Sequence, residues 1–282
     1  MNSSIKVTLT GAAGRLGAHV CRTLAERQYS LRATDKVPRT DLPVPIEVAD
    51  LLERTACYRL LEGSEALVHL ANHPNFSDGN VQRAFHENVA MNMNIFQAAA
   101  DLGVKRILFA SSVQVISGPA RGDEPNTTCA LPYLPLDGDV PPNPGNPYAL
   151  GKQVSETMLT YFARTTGINC VAIRFPFLAD DEHLAKAATS PSRSGRGEGF
   201  SFLHLLDAAN LLEAILRTPL TGFRVYFPAA RENRLGQPAA KVVHEHFPNT
   251  PLRRPLSAIT SLVDISHIER ETGWSPKFGL KR

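Results

Sequence analysis

Short runs of β-branched and apolar residues alternate along the chain with longer runs in which apolar positions recur every three or four residues. The short runs are "IKVTLT", "SLRAT", "ALVHLA", "RILFASS" and "NCVAIRF", and helix-period segments follow the first three of them. Strands that alternate with helices form a parallel sheet with helices on both faces. The pattern therefore predicts an α/β fold built on a doubly wound parallel sheet of the Rossmann type.

Two segments interrupt this alternation. Between Ser117 and Pro147, the stretch "LPLDGDVPPNPGNP" is too rich in proline and glycine for regular structure, and we expect a loop that covers the carboxyl edge of the sheet. Pro147 is predicted to open the helix "YALGKQVSETMLTYFARTTG", and Gly167 to end it. The segment from Ala179 to Gly199 is again loop-like, and it is basic.

The interruptions also predict the domain organisation. We expect a core of residues 1–178 and 204–230 that contains the sheet. Residues 179–203 and 231–282 are expected to form a small C-terminal substrate lobe over the cleft. No internal repeat is visible.

Composition narrows the functional classes. The net charge of +3 arises from 30 basic and 27 acidic residues without a basic block, so no nucleic-acid partner is expected. There is no signal-peptide core and no apolar run of the roughly 20 residues that a membrane helix needs. We therefore expect a cytoplasmic protein with no membrane partner. The cysteines lack paired or metal-like spacing, which favours reduced thiols and no metal site: Cys21, Cys57, Cys129 and Cys170.

Three glycines, Gly11, Gly14 and Gly17, stand where the first predicted strand gives way to a helix. Glycine lets the backbone approach a pyrophosphate, and a helix N-terminus offers free N–H groups. The spacing is G-x-x-G-x-x-G rather than the commoner G-x-G-x-x-G, and a simple tight turn is the alternative. The candidate cofactor residues here are Gly11, Ala13, Gly14, Arg15, Leu16 and Gly17.

Two acidic residues extend this candidate site. Asp35 ends the second strand, where a carboxylate would accept both hydroxyls of an adenosine ribose and repel a 2′-phosphate. This favours NAD over NADP, although Lys36 and Arg39 lie close by; a turn role is the alternative for Asp35. Asp50 follows the third strand and would accept a bond from the adenine amino group beside Leu51. Alternatively, Asp50 is the N-cap of a helix that starts at Leu51.

A tyrosine and a lysine supply the candidate chemistry. Tyr148 and Lys152 lie four residues apart near the start of the predicted helix, so they project from one face. A nearby ammonium favours the phenolate and would bring the tyrosine pKa toward the working range. Ser111 and Ser112 end the strand "RILFASS", where a hydroxyl can bind a substrate oxygen. The alternatives are a surface Tyr–Lys pair and two serines that merely end a strand.

Several motifs together resemble the extended short-chain dehydrogenase/reductase superfamily and, within it, the NAD-dependent epimerase/dehydratase family. They run in order from Val7 to Phe278 and are "TGAAGRLG", "VHLAN", "ENV", "FASSVQV", "PYALGKQVSE", "FLHLLDAA" and "TGWSPKF". The resemblance implies that Tyr148 is the catalytic acid-base group, that Lys152 lowers its pKa, and that Ser112 is the third member of the triad.

The resemblance also implies roles for residues outside the triad. Asn88, in "ENV", matches an asparagine that supports the active site, with a plain helix-surface position as the alternative. His69, Leu70 and Ala71 match a strand that passes beneath the cofactor, and Leu70 and Ala71 are candidate cofactor contacts. Asp207 matches a structural aspartate that ties the lobe to the core.

Departures from the family pattern point to a small substrate. The chain has "SVQVISG" and "RFPFLADD" where relatives usually have residues that grip a nucleotide-sugar, and only 32 residues separate Arg174 from Asp207. These features are similar to uronate dehydrogenases. The candidate substrate contacts are Asn72, His73, Asn75, Ser112, Val113 and Arg174, with Ser77, Arg193 and Arg196 as further polar residues at the cleft. Arg174 is alternatively a structural anchor, and "SRSGRGEG" alternatively a solvated loop.

The sequence thus predicts an NAD-dependent oxidoreductase that transfers hydride between a sugar or sugar-acid hydroxyl and NAD. A nucleotide-sugar epimerase or dehydratase is the first alternative, and a non-catalytic NAD-binding sensor is the second. A homodimer is expected through the helices at residues 81–102 and 148–166, because "VAMNMNIFQAAA" is apolar on more than one face.

Overall fold

The computed structural model describes residues 5–73, 80–118, 131–189 and 195–280. Within them, the strands are β1 (Lys6–Thr10), β2 (Ser30–Asp35), β3 (Ile46–Val48), β4 (Ala66–His69), β5 (Arg106–Ser112), β6 (Asn169–Phe175), β7 (Phe177–Ala179), β8 (Phe202–His204) and β9 (Phe223–Tyr226). A seven-stranded parallel sheet has the order β3-β2-β1-β4-β5-β6-β9, and β7 pairs with β8 in a separate two-stranded sheet. The predicted doubly wound α/β fold is confirmed.

Helices cover both faces of the sheet. One core layer places Val20 and Leu24 of the first helix with Leu212 of the sixth, and the other includes Ile95 of the third and Leu159 of the fourth. The helices are α1 (Arg15–Glu26), α2 (Arg54–Leu61), α3 (Val81–Asp101), α4 (Pro147–Thr166), α5 (Asp181–Thr189), α6 (Leu205–Arg217), α7 (Ala239–His246) and α8 (Ser266–Thr272). In the described part of the chain, no helix is long and apolar enough to cross a membrane.

Local sequence signals fix the ends of α4. The Asn146 side chain accepts a 2.8 Å hydrogen bond from the Ala149 N–H, and Pro147 occupies the first helical position. Gly167 ends the helix with a φ of 76°, in the left-handed region that favours glycine. The predicted start and end of this helix are confirmed, and they set the direction in which Tyr148 and Lys152 project.

The turn between β1 and α1 requires its glycines. Gly11 has a φ of 73°, and a Cβ there would lie 2.6 Å from the Ala71 nitrogen. A Cβ on Gly17 would lie 2.0 Å from the Gly11 carbonyl oxygen, and one on Gly14 would lie 3.2 Å from the same oxygen. The glycines therefore let the start of α1 and the end of β4 approach the tip of β1 closely.

The C-terminal segment is tied to α6. The buried Asp207 carboxylate accepts hydrogen bonds from the backbone N–H groups of Lys277 (3.0 Å to each oxygen) and Phe278 (2.9 Å). The indole N–H of Trp274 donates to the Asp207 carbonyl at 3.1 Å. The structural role expected for Asp207 is confirmed.

The proline-rich segment before α4 is irregular, as predicted, and its described part packs against the rest of the protein. Leu134, Leu136 and Val140 are buried, and Leu134 and Leu136 bridge to Leu252 and Val263. This segment therefore joins the C-terminal residues to the sheet near the carboxyl end of β6. Cys21, Cys57 and Cys170 are buried free thiols, whereas Cys129 lies outside the described residues.

Candidate active site

Ser112, Tyr148 and Lys152 come together at the carboxyl edge of the sheet. Ser112 is the last residue of β5, and its hydroxyl shares a hydrogen bond with the Tyr148 phenol. Lys152 lies one turn further along α4, with its ammonium nitrogen 5.7 Å from the centroid of the Tyr148 ring. Because the two hydroxyls are within hydrogen-bonding reach of each other, a substrate oxygen beside them would meet both.

The Lys152 ammonium is buried and held at two points. It donates a 2.7 Å hydrogen bond to Oδ1 of Asn72 and a 2.6 Å hydrogen bond to the Ala110 carbonyl, and it lies 4.6 Å from the centroid of the Phe109 ring. Burial lowers the pKa of Lys152 to about 7, and the negative charge of Glu156 opposes this shift. The charge of this lysine near neutral pH therefore depends on the acceptors around it.

The pKa of Tyr148 differs from the sequence-based expectation. Burial raises the pKa of this phenol above its ordinary value, and the hydrogen bond from Ser112 opposes the rise. The Lys152 ammonium donates to Asn72 and Ala110 rather than to the phenol oxygen, and the expected lowering of this pKa by its charge stays a prediction. Ser112 therefore favours the phenolate through its hydrogen bond.

Arg174 is a structural anchor and not a free substrate contact. Its guanidinium donates to both oxygens of Glu156 at 3.0 and 2.8 Å and to the Val140 carbonyl at 2.6 Å. Only 3% of Arg174 is exposed. Ser111 donates to the same Glu156 carboxylate at 2.5 Å. The predicted substrate role of Arg174 is therefore wrong, since its donors are directed into the protein, and the anchor alternative holds.

Asn88 clamps the loop that follows β4. Its Oδ1 accepts a 2.7 Å hydrogen bond from the His73 N–H, and its Nδ2 donates to the His73 carbonyl at 3.2 Å. Asn88 is 3% exposed, so the surface alternative is wrong. The His73 imidazole faces Glu87, with 2.7 Å between Nε2 and Oε2. Asn75 and Ser77 lie outside the described residues.

The half-buried Asn72 faces Lys152 and the buried Asn92. Its Nδ2 donates a 2.7 Å hydrogen bond to Oδ1 of Asn92, so both ends of its amide have partners within the protein. The prediction of Asn72 as a substrate contact is therefore not supported by its geometry. Asn92 is not among the sequence candidates. It lies one helical turn after Asn88 on the same face of α3, and that spacing is a signal that could have found it.

Two further candidates at the cleft are directed away from it. The side chain of Val113 is 3% exposed and belongs to the hydrophobic core, so it is not available as a substrate contact. Arg196 donates to the His246 carbonyl at 2.7 Å, and Arg193 lies outside the described residues.

Asp35 stabilises the glycine turn. Its Oδ2 accepts a 2.9 Å hydrogen bond from the Ala13 N–H, and its Oδ1 accepts bonds from the N–H groups of Lys36 (2.7 Å) and Val37 (3.3 Å). Each carboxylate oxygen has two acceptor positions, so the turn role and a further ligand are compatible. Arg39 donates to the Ala13 carbonyl at 3.0 Å, so both backbone groups of Ala13 are held by side chains from this part of the chain.

Asp50 is not a helix N-cap. The helix that was expected at Leu51 begins at Arg54, and Glu53 is its N-cap residue. Oδ1 of Asp50 accepts from the Leu52 N–H at 3.0 Å, and Oδ2 pairs with the Lys36 ammonium at 2.9 Å. The hydrogen bond from Lys36 lowers the pKa of Asp50. Asp50 thus lies beside the tip of β2, at the same sheet edge as Asp35.

The start of α1 fits a phosphate group. No side chain caps its N-terminus, in contrast to α3 and α4, which Asn80 and Asn146 cap. The first N–H groups of a helix have no partners within the helix, and they attract anions. A Cβ at Gly11 or Gly17 would collide with backbone atoms of the turn, so the glycines keep this end of the helix close to β1 and β4. A line of groups suited to a dinucleotide therefore runs from Asp35, past α1, to Lys152.

Comparisons with known proteins agree with this arrangement. The family model "NAD dependent epimerase/dehydratase family" matches residues 7–179. The uronate dehydrogenase of Pseudomonas syringae pv. tomato is 30% identical, covering 79% of this chain and 73% of that protein. An NAD-dependent glucose-6-phosphate dehydrogenase of Haloferax volcanii is 28% identical, and the match covers 74% of this chain and 79% of that protein. The structure of Thermus thermophilus UDP-glucose 4-epimerase with NAD superimposes with a TM-score of 0.70 at 20% identity. The superposition covers 98% of this chain and 95% of that chain.

Proposed function

Because the chain belongs to the NAD-dependent epimerase/dehydratase family, we propose that it is an NAD-dependent oxidoreductase acting on a hydroxyl of a sugar or sugar acid. The observation that carries the proposal is the Ser112–Tyr148 hydroxyl pair at the carboxyl edge of the sheet, with the Lys152 ammonium 5.7 Å from the tyrosine ring. The family description supports NAD as the cofactor, and the similarity to a uronate dehydrogenase supports a small sugar-acid substrate.

The cofactor would extend along the sheet edge. The N–H groups of Arg15, Leu16 and Gly17 would hold its diphosphate, and Asp35 the adenosine ribose. The remaining proposed contacts are Gly11, Ala13 and Gly14 in the turn, Asp50 and Leu51 at the adenine, Leu70 and Ala71 beneath it, and Tyr148 and Lys152 at the nicotinamide ribose. Asn88 would act indirectly by clamping the backbone of His73.

The three side chains would have separate roles in the oxidation of a substrate hydroxyl. Bound NAD supplies a hydride acceptor. The Ser112 hydroxyl would orient the substrate oxygen, and the Tyr148 oxygen would take the proton of the substrate hydroxyl. The positive charge of Lys152 stabilises the resulting phenolate, and the buried surroundings of the ammonium strengthen that attraction. In the reverse direction, Tyr148 would return the proton.

We propose a free sugar or sugar acid as the substrate. The short segment between Arg174 and Asp207 supports this, because a nucleotide-sugar needs a longer cleft. Since Arg174 is paired with Glu156, a substrate carboxylate would have to find another partner. Nucleotide-sugar epimerisation is the second candidate. A sensor without turnover is disfavoured because Ser112, Tyr148 and Lys152 are all in place.

The assembly is proposed to be a homodimer formed through α3 and α4. Met93 (40% exposed), Leu150 (43%) and Tyr161 (50%) present large apolar surfaces on these two helices. We also propose a cytoplasmic location, which the buried free thiols of the described cysteines support. The division into a core of residues 1–178 and 204–230 and a lobe of residues 179–203 and 231–282 is likewise a proposal.

An NADH-absorbance screen tests the proposed function. The panel contains aldoses, uronic acids, sugar alcohols and glucose 6-phosphate beside UDP-glucose and UDP-galactose, each with NAD and with NADP. We expect turnover of a free sugar or sugar acid with NAD, and loss of about 100-fold or more in Tyr148→Phe, which still binds NAD. Turnover confined to the nucleotide-sugars would reject the small substrate. Full activity in Tyr148→Phe would reject the mechanism.

A further inference from the structure

Four polar side chains connect Lys152 to the centre of the sheet: the half-buried Asn72 and the buried Asn92, His69 and Thr10. Asn72 accepts from the ammonium, Asn92 accepts from Asn72 at 2.7 Å, and Oδ1 of Asn92 also faces Nε2 of His69 at 2.8 Å. Nδ1 of His69 faces the Thr10 hydroxyl at 2.6 Å. Asn92 and His69 are fully buried.

The charge on Lys152 fixes the orientation of every group in this series. An ammonium has no acceptor, so the atom of Asn72 that faces it is the oxygen. The Asn72 amide nitrogen then faces Asn92 and requires the Asn92 oxygen in turn, so Nε2 of His69 must carry a proton. Burial lowers the pKa of His69 to about 3, so the ring is neutral and its Nδ1 accepts from Thr10. Each member therefore has a partner that matches its donor or acceptor.

Asn92 also ties this series to α4. Its Nδ2 donates to the Ser155 hydroxyl at 2.7 Å, and Ser155 donates to the Gly151 carbonyl, the residue before Lys152, at 2.8 Å. Both the backbone and the ammonium of this turn of α4 are therefore held against α3 and the end of β4. A rotation of the Asn92 amide would break all of these contacts together.

We infer that the Asn72–Asn92 amide pair positions the Lys152 ammonium and sets the pH range over which it is charged. This inference deepens the proposed function, in which Lys152 stabilises the Tyr148 phenolate. The two asparagines are positioning residues, because their amide groups are directed to protein partners. Two of the three ammonium donors are taken by Asn72 and Ala110, which leaves one for a further partner.

The direction of the effect follows from the groups that face Lys152. Tyr148 and Glu156 face it from α4 and His69 from β4, while β5 contributes the Phe109 ring and the Ala110 carbonyl. The Asn72 oxygen binds the charged form, so it raises the pKa that burial lowers. Removing this oxygen should lower the pKa of Lys152, and a carboxylate in its place should raise it.

The test measures Lys152 directly, without substrate or cofactor. The protein is labelled with [13Cε]lysine, the Lys152 signal is assigned from its loss in Lys152→Met, and its titration midpoint is followed by NMR. We expect Asn72→Ala to lower the midpoint by about one pH unit, and Asn72→Asp to raise it by a similar amount. Asn210→Ala, which removes an amide bound to the Leu206 carbonyl on α6, should leave the midpoint unchanged.

Catalysis gives a second readout with the substrate found in the screen. Asn72→Ala should lower kcat about tenfold and move the alkaline limb of the kcat profile to lower pH, whereas Asn72→Asp should move that limb to higher pH. Unchanged midpoints in both variants would overturn the inference. A raised substrate KM with unchanged kcat and pH profile would instead make Asn72 a substrate contact. If Asn72→Ala does not fold, the upward shift in Asn72→Asp decides alone.

The outcomes separate this inference from the proposed function. Opposite midpoint shifts together with full activity in Tyr148→Phe would keep the amide pair and reject the mechanism. Parental midpoints together with an inactive Tyr148→Phe would keep the mechanism and reject the amide pair.

Discussion

Arg174 and Glu156 form a buried ion pair in which the guanidinium donates to both carboxylate oxygens, at 3.0 and 2.8 Å. The side chains are 3% and 7% exposed. Glu156 lies one turn beyond Lys152 on α4, so the pair joins the carboxyl end of β6 to the helix that carries the candidate catalytic residues. It explains why an arginine at the cleft edge is unavailable to a substrate.

Breaking this pair should destabilise the protein strongly. We expect Arg174→Met to lower the free energy of unfolding by about 3–5 kcal/mol, because the Glu156 carboxylate stays buried without its partner. Lys241→Ala breaks the exposed Lys241–Glu245 pair and should cost less than about 1 kcal/mol. Urea denaturation of both variants makes the comparison. Equal losses would contradict the assignment of Arg174 as the anchor.

Cofactor selectivity should depend on the charge of Asp35. We expect the parent protein to bind NAD more tightly than NADP, because this carboxylate repels a 2′-phosphate. Asp35→Asn keeps an acceptor for the Ala13 N–H and should reduce the ratio of the NAD affinity to the NADP affinity about tenfold. Glu62→Gln removes one negative charge from an exposed site and should leave this affinity ratio unchanged. Titration calorimetry measures both affinities, and equal affinities in the parent would refute the assignment.

The pH dependence of oxidation should report the Ser112–Tyr148 hydrogen bond. Burial raises the pKa of Tyr148 and Ser112 opposes the rise, so Ser112→Ala should raise this pKa further. Since oxidation needs the deprotonated phenol, its rate should increase with pH, and the ascending limb should move to higher pH in Ser112→Ala. Ser30→Ala, at an exposed position, serves as the control. A limb that stays in place would argue against this hydrogen bond.

The C-terminal segment should detach from α6 when the Asp207 carboxylate is removed. We expect Asp207→Ala to cost about 2–4 kcal/mol of unfolding free energy, because its carboxylate accepts from two backbone N–H groups in a buried place. Hydrogen exchange at the amides of Lys277 and Phe278 should accelerate in this variant. Unchanged protection of both amides would show that Trp274 alone is sufficient to hold the segment.

The oligomeric state should respond to charges on α3 and α4. Light scattering should give twice the 30.8 kDa chain mass, and Met93→Glu combined with Tyr161→Glu should give a monomer. Val48→Glu places the same charge on another exposed apolar residue, 54% exposed on β3, and should leave the dimer intact. A parent protein with the mass of a single chain at micromolar concentration would count against the dimer.

The sequence by itself determined the features that depend on neighbours along the chain. The alternation of periods gave the sheet and its helices, Pro147 and Gly167 set the ends of α4, and the spacing of Tyr148 and Lys152 placed both on one face. Gly11 lies in a left-handed turn, where a side chain is rarely tolerated. Such signals are local, because a helical turn, a cap or a positive φ involves residues within about four positions.

Only the tertiary structure decided which polar groups are partners. The acceptor of Arg174 is Glu156, which lies 18 residues earlier, and the acceptor of Lys152 is Asn72, which lies 80 residues earlier. No local pattern specifies such pairs, so Arg174 and Asn72 both suited a substrate when judged from residue type alone. The pKa values of Tyr148 and Lys152 were likewise undetermined, because burial, which shifts both, depends on how β4, β5 and α3 pack around α4.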